Sequence, residues 1–142
     1  MPVTFTSHEI DFNLKNKNKI RNWIKRIIKE NKKNDGSISY IFTSEDYILK
    51  INNDYLKHNF FTDIITFDYS QNDMVEGDIF VSVETVLTNS EKFHTSFEEE
   101  LLRVLIHGIF HLLGFKDKTS EQKHSMRALE DKALLFFKNL NE

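Results

Sequence analysis

The chain has 142 residues, 39% of them hydrophobic and 29% charged, and a net charge of −3; this ordinary globular composition predicts one domain over residues 1–142. It contains no cysteine, which excludes disulfides and thiolate metal sites. No apolar run approaches the ~20 residues of a membrane-spanning helix and no signal peptide is visible, so we expect a cytoplasmic protein without membrane contact.

The first predicted elements are a strand over 3–6 and an amphipathic helix over about 16–33. Apolar residues at spacings of three and four indicate the helix, namely Ile20, Trp23, Ile24, Ile27 and Ile28. Its other face is basic, because nine of the chain's 19 Lys and Arg residues lie between Lys15 and Lys33, beside one acid, Glu30. Such a segment can attract phosphate groups, although a solvated helix face is the simpler interpretation.

Turn and capping residues divide the rest of the chain. The predicted elements, in chain order, are a strand over 37–43, a helix over 45–54, strands over 62–69 and 77–83, and helices over about 83–93, 97–113 and 119–139. Residues 34–36, Asn-Asp-Gly, are predicted as a turn, and Thr43 with Asp46 resembles a capping box. The last two strands are expected to form a hairpin with a longish loop. These elements predict an α/β (α+β) fold, with one small mixed sheet of about four strands and several helices packed on it.

The apolar helix over 97–113, capped by Thr95 or Ser96, carries two histidines that need an explanation. His107 and His111 are four residues apart, so they lie on one helix face and can bind a single ion. Gly114 is a natural helix terminator and lets the chain turn back toward that face. We therefore predict that Asp117 supplies a third ligand; the alternative is a pair of buried histidines with satisfied hydrogen bonds.

The predicted ligand set limits which metal ion can bind and which reaction the site can catalyse. Two imidazoles and one carboxylate suit one Zn²⁺ per chain with an open position, although the same donors suit Fe²⁺ and leave another divalent metal open. Zinc would activate water or polarise a carbonyl or phosphoryl oxygen. Zinc peptidases normally carry a glutamate after the first histidine, where this chain has Gly108. The missing base argues against peptide hydrolysis and leaves cleavage of RNA phosphodiesters open.

Three motifs, in this chain order, resemble the YbeY family of bacterial endoribonucleases. INNDYLKHNFFTDIITF (51–67) resembles the family's LNxxYRxxxxPTDVLSF, EGDIFVSVET (76–85) its GDIxIS strand, and HGIFHLLGFKD (107–117) its HGxLHLxGYDH, while Met126 and Glu130 fit the stretch that follows. The resemblance implies a metal-hydrolase fold, a zinc-type site at positions 107, 111 and 117, and single-stranded RNA as substrate. It also implies late small-subunit rRNA processing and ribosome quality control, with an rRNA precursor and the small ribosomal subunit as partners and no small organic cofactor.

The sequence departs from the family pattern at two positions. Asp117 stands where the family usually has a third histidine, but a carboxylate oxygen also binds zinc at about 2.0–2.2 Å, so a site with two histidines and one aspartate stays competent. Leu56 stands where the family usually has an arginine that is expected to face the catalytic cleft. Lys57 or His58 is the candidate to supply the missing cation.

Further residues are candidates for the cleft. Arg103, one turn before His107, is a second candidate catalytic cation or a support for the metal ligands, and a salt bridge to Glu99 is the alternative. The candidate substrate-binding residues are Thr62, Asp63, Lys25 and Arg26. Thr62 and Asp63 match the family's TD pair, and their other interpretation is local side-chain to backbone bonding at a strand start.

The leading hypothesis is thus a metal-dependent, single-strand-specific endoribonuclease. Two alternatives stay open. One is a zinc metallopeptidase-like hydrolase, and the other is a ribosome-associated binding module in which the metal is structural.

Overall fold

The computed structural model of the chain describes residues 3–56 and 62–140. Its elements are β1 (Val3–Ser7), α1 (Lys17–Glu30), β2 (Asn34–Thr43), α2 (Glu45–Leu56), β3 (Ile64–Asp68), β4 (Met74–Ser82), α3 (Val83–Lys92), α4 (Phe97–Leu112) and α5 (Ser120–Lys138). The strands form one mixed sheet in the order β1-β2-β4-β3, in which β1, β2 and β4 are parallel and β3 runs antiparallel to β4. The predicted α/β fold with a small mixed sheet is confirmed. Within the described ranges, none of the helices is long and apolar enough to cross a membrane.

The main core lies between one face of the sheet and helices α1, α4 and α5. Two buried polar groups join these layers. The indole of Trp23 on α1 donates to the Ala133 carbonyl on α5 at 2.9 Å, and the hydroxyl of Tyr40 on β2 donates to the Leu105 carbonyl on α4 at 2.7 Å. Helix α2 covers part of the opposite face through Ile48 and Ile51. Within the main core, α4 packs against both the sheet and α5, which makes it a rigid support for the residues it carries.

Gly108 lets α4 approach the sheet closely. A Cβ atom at this position would lie 3.0 Å from a methyl carbon of Ile64 and 3.1 Å from one of Ile79. Both distances are tighter than ordinary van der Waals contact, which is about 3.5–4.0 Å between carbon atoms. Position 108 therefore faces the core, and a side chain there would have to displace Ile64 and Ile79.

The predicted turn at 34–36 is wrong, because these residues already belong to β2. The chain reverses earlier, at the end of α1, where Lys32 has φ 62° and the Lys33 amide donates to the Ile28 carbonyl at 3.2 Å. Asn34 then pairs with Met74 of β4, and a register shift farther along β2 absorbs one extra residue before Ile38. Pairing with β4 outweighs the local turn preference, and α1 ends at Glu30 rather than near residue 33.

Capping and hairpin geometry refine three further predictions. The hydroxyl of Thr43 donates to the His8 carbonyl at 2.9 Å, so Ser44 caps α2 instead by accepting from the Tyr47 amide at 3.1 Å. The predicted hairpin is present, but its loop is short because β4 begins at Met74. Of the two candidate caps of α4, Ser96 accepts from the Glu99 amide at 3.0 Å.

Candidate metal centre

His107 and His111 lie on one face of α4, near its C-terminal end. The four-residue spacing stacks the two imidazoles one turn apart, and their Nε2 atoms lie 2.9 Å from each other. Both side chains are partly accessible, with 20% and 26% of their surface exposed. The rings therefore point into a recess that opens to solvent, whereas most of α4 is buried.

Asp117 reaches the histidines because the chain turns sharply after α4. Gly114 has φ 101°, a left-handed conformation that favours glycine. The Phe115 amide donates to the Phe110 carbonyl at 3.0 Å, which closes the helix end. The returning segment brings Oδ2 of Asp117 to 3.1 Å from Nε2 of His107 and to 3.4 Å from Nε2 of His111.

The spacing of these three ligand atoms fits a divalent metal ion. In a tetrahedral site with bonds of about 2.0–2.1 Å, ligand atoms lie roughly 3.3 Å apart. The three separations observed, 2.9, 3.1 and 3.4 Å, bracket that value. Among the described residues, His107, His111 and Asp117 form the one group of this kind that can hold a metal ion. Three protein ligands would leave a further position free for water or substrate, as in catalytic zinc sites.

The two histidines have opposite pKa shifts. Burial acts to lower the pKa of His107, but its hydrogen bond to Glu130 and the negative charges of Glu130, Asp117 and Asp63 outweigh burial, so this pKa is raised. Burial lowers the pKa of His111, and the neighbouring His107 lowers it further, against a smaller opposing effect of Asp117. His107 is thus the ring that a proton occupies first when no metal is bound.

Metal affinity is expected to decrease as the pH is lowered, because His107 becomes protonated. A metal ligand must be deprotonated, and the raised pKa of His107 means that protons begin to compete above pH 6.5, the ordinary histidine value. Below that raised pKa, affinity should drop by roughly tenfold per pH unit for one competing proton. Calorimetric titration with Zn²⁺ at pH 8, 7 and 6 measures this effect. Equal affinity at all three pH values would contradict it.

Acidic groups surround the ligands on the side of the cleft. Asp63 lies just before β3, and burial raises the pKa of its carboxyl group, with His107 opposing the shift. Glu100 on α4 is buried, and its pKa is also raised by burial, against the charge of Arg103. Arg127 on α5 lines the same cleft, together with Asp63 and Asp117. An anionic substrate entering here therefore meets two carboxyl groups, those of Asp63 and Glu100, whose raised pKa values make them resist ionisation.

The candidate residues named from sequence fall in different places. Asp63 lines the cleft, whereas the Thr62 hydroxyl donates to the Ile64 carbonyl at 3.4 Å, a local bond at the strand start. Lys25 and Arg26 lie on α1, and no residue of α1 in the described chain lines the cleft. Lys57 and His58 lie outside the described residues.

Arg103 forms its ion pairs with partners on α5 rather than with Glu99. Its guanidinium donates to Glu130 at 3.0 Å and to Asp131 at 2.7 Å. Glu130 in turn contacts Nδ1 of His107 at 2.5 Å.

The contacts of Glu130 were not expected from its sequence position. Apolar residues at spacings of three and four define one face of the last helix, namely Met126, Leu129, Ala133, Leu134 and Phe137. Glu130 lies within that face, four residues after Met126, and is 5% exposed. An acid inside an apolar helical stripe is the signal that points to it, because a buried carboxylate needs a partner.

Comparisons with known proteins extend over nearly the whole chain. A family model described as Endoribonuclease YbeY matches residues 3–138. A protein named Endoribonuclease YbeY from Flavobacterium psychrophilum is 44% identical over 131 residues, 92% of this chain and 94% of the relative. One from Bacteroides fragilis is 46% identical over 134 residues, 94% and 96% of the two chains. The solution structure of a Thermotoga maritima protein is similar, with a TM-score of 0.64, 26% identity and coverage of 96% and 91%.

Proposed function

The chain belongs to the endoribonuclease YbeY family, and on that premise we propose that it cuts single-stranded RNA at the metal centre. The observation that carries this proposal is the convergence of two imidazole nitrogens and one carboxylate oxygen in an open recess. We propose Zn²⁺ as the ion, one per chain, because three such ligands match catalytic zinc sites. We also propose precursors of small-subunit rRNA as substrates and the small ribosomal subunit as partner, in late processing and quality control.

Three side chains, His107, His111 and Asp117, would hold the ion. When bound, the ion supplies a Lewis acid for a phosphoryl oxygen or an attacking water. The packed helix α4 fixes both histidines before substrate arrives, so little reorganisation is needed. Asp63 lines the cleft beside His107 and Asp117. Its carboxyl group, with the raised pKa, can hold a proton there at a higher pH than an exposed aspartate.

The two arginines of the cleft differ in their availability to a phosphate group. Arg103 is committed, since its guanidinium bonds to Glu130 and Asp131. The Arg127 side chain is exposed, and its guanidinium makes no hydrogen bond or ion pair with any residue in 3–56 or 62–140, although its charge acts on the Glu100 carboxyl group. We assign Arg127, rather than Arg103, to the RNA backbone, because a guanidinium pairs well with a phosphate.

The basic face of α1 has a separate role in this proposal. Lys25, Arg26 and Lys29 form no ion pair within the described part of the chain, whereas Arg21 bonds to the Val3 carbonyl at 2.8 Å. Because α1 does not line the cleft, these cations would act by attracting the RNA backbone at a distance. Such attraction is sequence-independent and weakens with salt.

Gly108 argues against the alternative of a metallopeptidase. Zinc peptidases of the common type place their glutamate base directly after the first histidine. Here a side chain at that position would press on Ile64 and Ile79 of the sheet. A side chain at position 108 would therefore face the sheet and not the recess where such a base is needed. An RNA substrate can supply its own 2′-hydroxyl as nucleophile.

Incubation of purified protein with a labelled single-stranded RNA tests the proposal. The Zn²⁺-loaded protein should cleave the RNA, and His111→Ala should lower the rate by more than about a hundredfold, since loss of a supporting contact alone typically costs 10–100-fold. Duplex RNA and casein serve as the competing substrates.

A matched control separates the metal site from a general effect of losing a histidine. His124 is exposed on α5, so His124→Ala should cleave at the wild-type rate. Equal cleavage by wild type and His111→Ala would point to a contaminating nuclease. Cleavage of casein without cleavage of RNA would favour a peptidase instead.

A further inference from the structure

Glu130 joins the metal centre to the packing between two helices. Helix α4 supplies Arg103 and His107, one turn apart, and α5 supplies Glu130 and Asp131. One oxygen of Glu130 contacts Nδ1 of His107, and the other accepts from Arg103 at 3.0 Å. We infer that Glu130 is a positioning residue, which holds the His107 ring in the tautomer and orientation that a metal ion requires. The inference deepens the proposed function and rests on it for the role of the metal.

The chemistry of the contact fixes which nitrogen of His107 is available. A carboxylate accepts hydrogen bonds and does not donate them, so Nδ1 carries the proton in the pair with Glu130. In the neutral ring, the lone pair is then on Nε2, the atom that lies 2.9 Å from His111 and 3.1 Å from Asp117. Without Glu130, the proton can move to Nε2 and the ring can rotate. Either change removes a ligand from the ion.

Burial makes this contact specific to one geometry. Only 7% of the Glu130 side chain is exposed, and an isolated charge in such a position is strongly disfavoured. Arg103, 11% exposed, supplies the compensating charge and is anchored at its other end by the more exposed Asp131. Because both oxygens of Glu130 are occupied by partners on α4, the carboxylate cannot turn without losing a bond. The docking of α5 on α4 thus sets the orientation of a metal ligand.

The geometry assigns Glu130 to support rather than to direct ligation. Its oxygen meets His107 at Nδ1, on the opposite side of the imidazole from Nε2. Among the described residues, the group that can hold a metal contains His107, His111 and Asp117, and Glu130 is not part of it. The expected effect of losing Glu130 is therefore weaker binding of the metal, with the same three ligands retained.

Metal affinity of the full chain, measured without RNA by competition with a chelator, tests this inference. Glu130→Ala should weaken Zn²⁺ binding by about 10–100-fold, the usual effect of losing such a partner. Glu130→Gln keeps an oxygen that can accept from Nδ1 but loses the charge, so its loss should be smaller, about three- to tenfold. Glu121→Gln is the matched control, because it makes the same chemical change at an exposed acid of α5 and should change the affinity by less than about twofold.

A second measurement reports on the ring itself. In metal-free protein, the ¹⁵N chemical shifts of His107 should indicate a proton on Nδ1 in wild type and in Glu121→Gln, and a shift of the proton toward Nε2 in Glu130→Ala. A purely structural role would lower the melting temperature and leave the affinity and tautomer unchanged, and that result would overturn the inference. If Glu130→Ala does not fold, unchanged affinity in Glu130→Gln overturns it instead. Neither measurement depends on RNA cleavage. A failure of the proposed function would be seen separately, as wild-type protein that binds Zn²⁺ but leaves RNA intact.

Discussion

Replacing both His107 and His111 with alanine is expected to abolish metal binding and RNA cleavage together. The double variant keeps only Asp117 of the three ligands, and a single, partly exposed carboxylate does not retain Zn²⁺ against a chelator. Elemental analysis of purified protein should therefore give about one equivalent of metal per chain for wild type and almost none for the variant. Cleavage of single-stranded RNA should fall to the level of a blank without protein.

The fold should survive this double substitution, which makes the result interpretable. Both rings are partly exposed and lie at the edge of the core, and Glu130 keeps its bond to Arg103. Circular dichroism should show native helix content, and the melting temperatures of metal-free wild type and variant should be close. His124→Ala provides the control for losing an exposed imidazole. A double variant that still carries a full equivalent of metal would move the site away from α4.

The parts of the centre that depend on local spacing could be predicted from the sequence. The four-residue interval between His107 and His111 fixes their relative position on any α-helix, whatever the helix packs against. Gly114 indicates the helix end through its own conformational freedom, and the short segment that follows limits how far Asp117 can lie from the rings. Each of these inferences uses residues within one turn or one loop.

The parts that depend on packing could not be predicted in the same way. Glu130 is distant from His107 in the chain, and their contact exists only because α5 docks on α4. The prediction of a turn at 34–36 is wrong for a similar reason. Pairing of Asn34 with Met74 extends β2 against the local turn preference of the Asn-Asp-Gly segment. Thr43 resembled a cap for α2, but its hydroxyl instead donates a hydrogen bond to the carbonyl of His8, a distant residue. In each case a tertiary contact competes with a local one and wins.

The second large effect on Zn²⁺ affinity is expected at Asp117, and its size depends on the residue that replaces the aspartate. Asp117→Ala removes a ligand atom that lies 3.1 Å and 3.4 Å from the two histidine nitrogens. Zn²⁺ affinity should fall by at least about a hundredfold, more than for loss of a supporting contact. Asp117→His restores a nitrogen ligand of a kind that zinc accepts equally well, so its affinity should stay within about tenfold of wild type. Chelator competition on the three proteins measures both effects.

The reason to expect rescue by histidine lies in the segment that carries Asp117. Phe115, Lys116 and Lys118 beside it are exposed, so a longer side chain at position 117 can be accommodated by a shift of this segment without disturbing the core. Asp11→Ala, at an exposed acid elsewhere in the chain, controls for the loss of one negative charge and should bind Zn²⁺ as wild type does. Wild-type affinity in Asp117→Ala would assign the third ligand to another residue. Loss of binding in both Asp117 variants would mean instead that the carboxylate, with its negative charge, is itself required beside the two imidazoles.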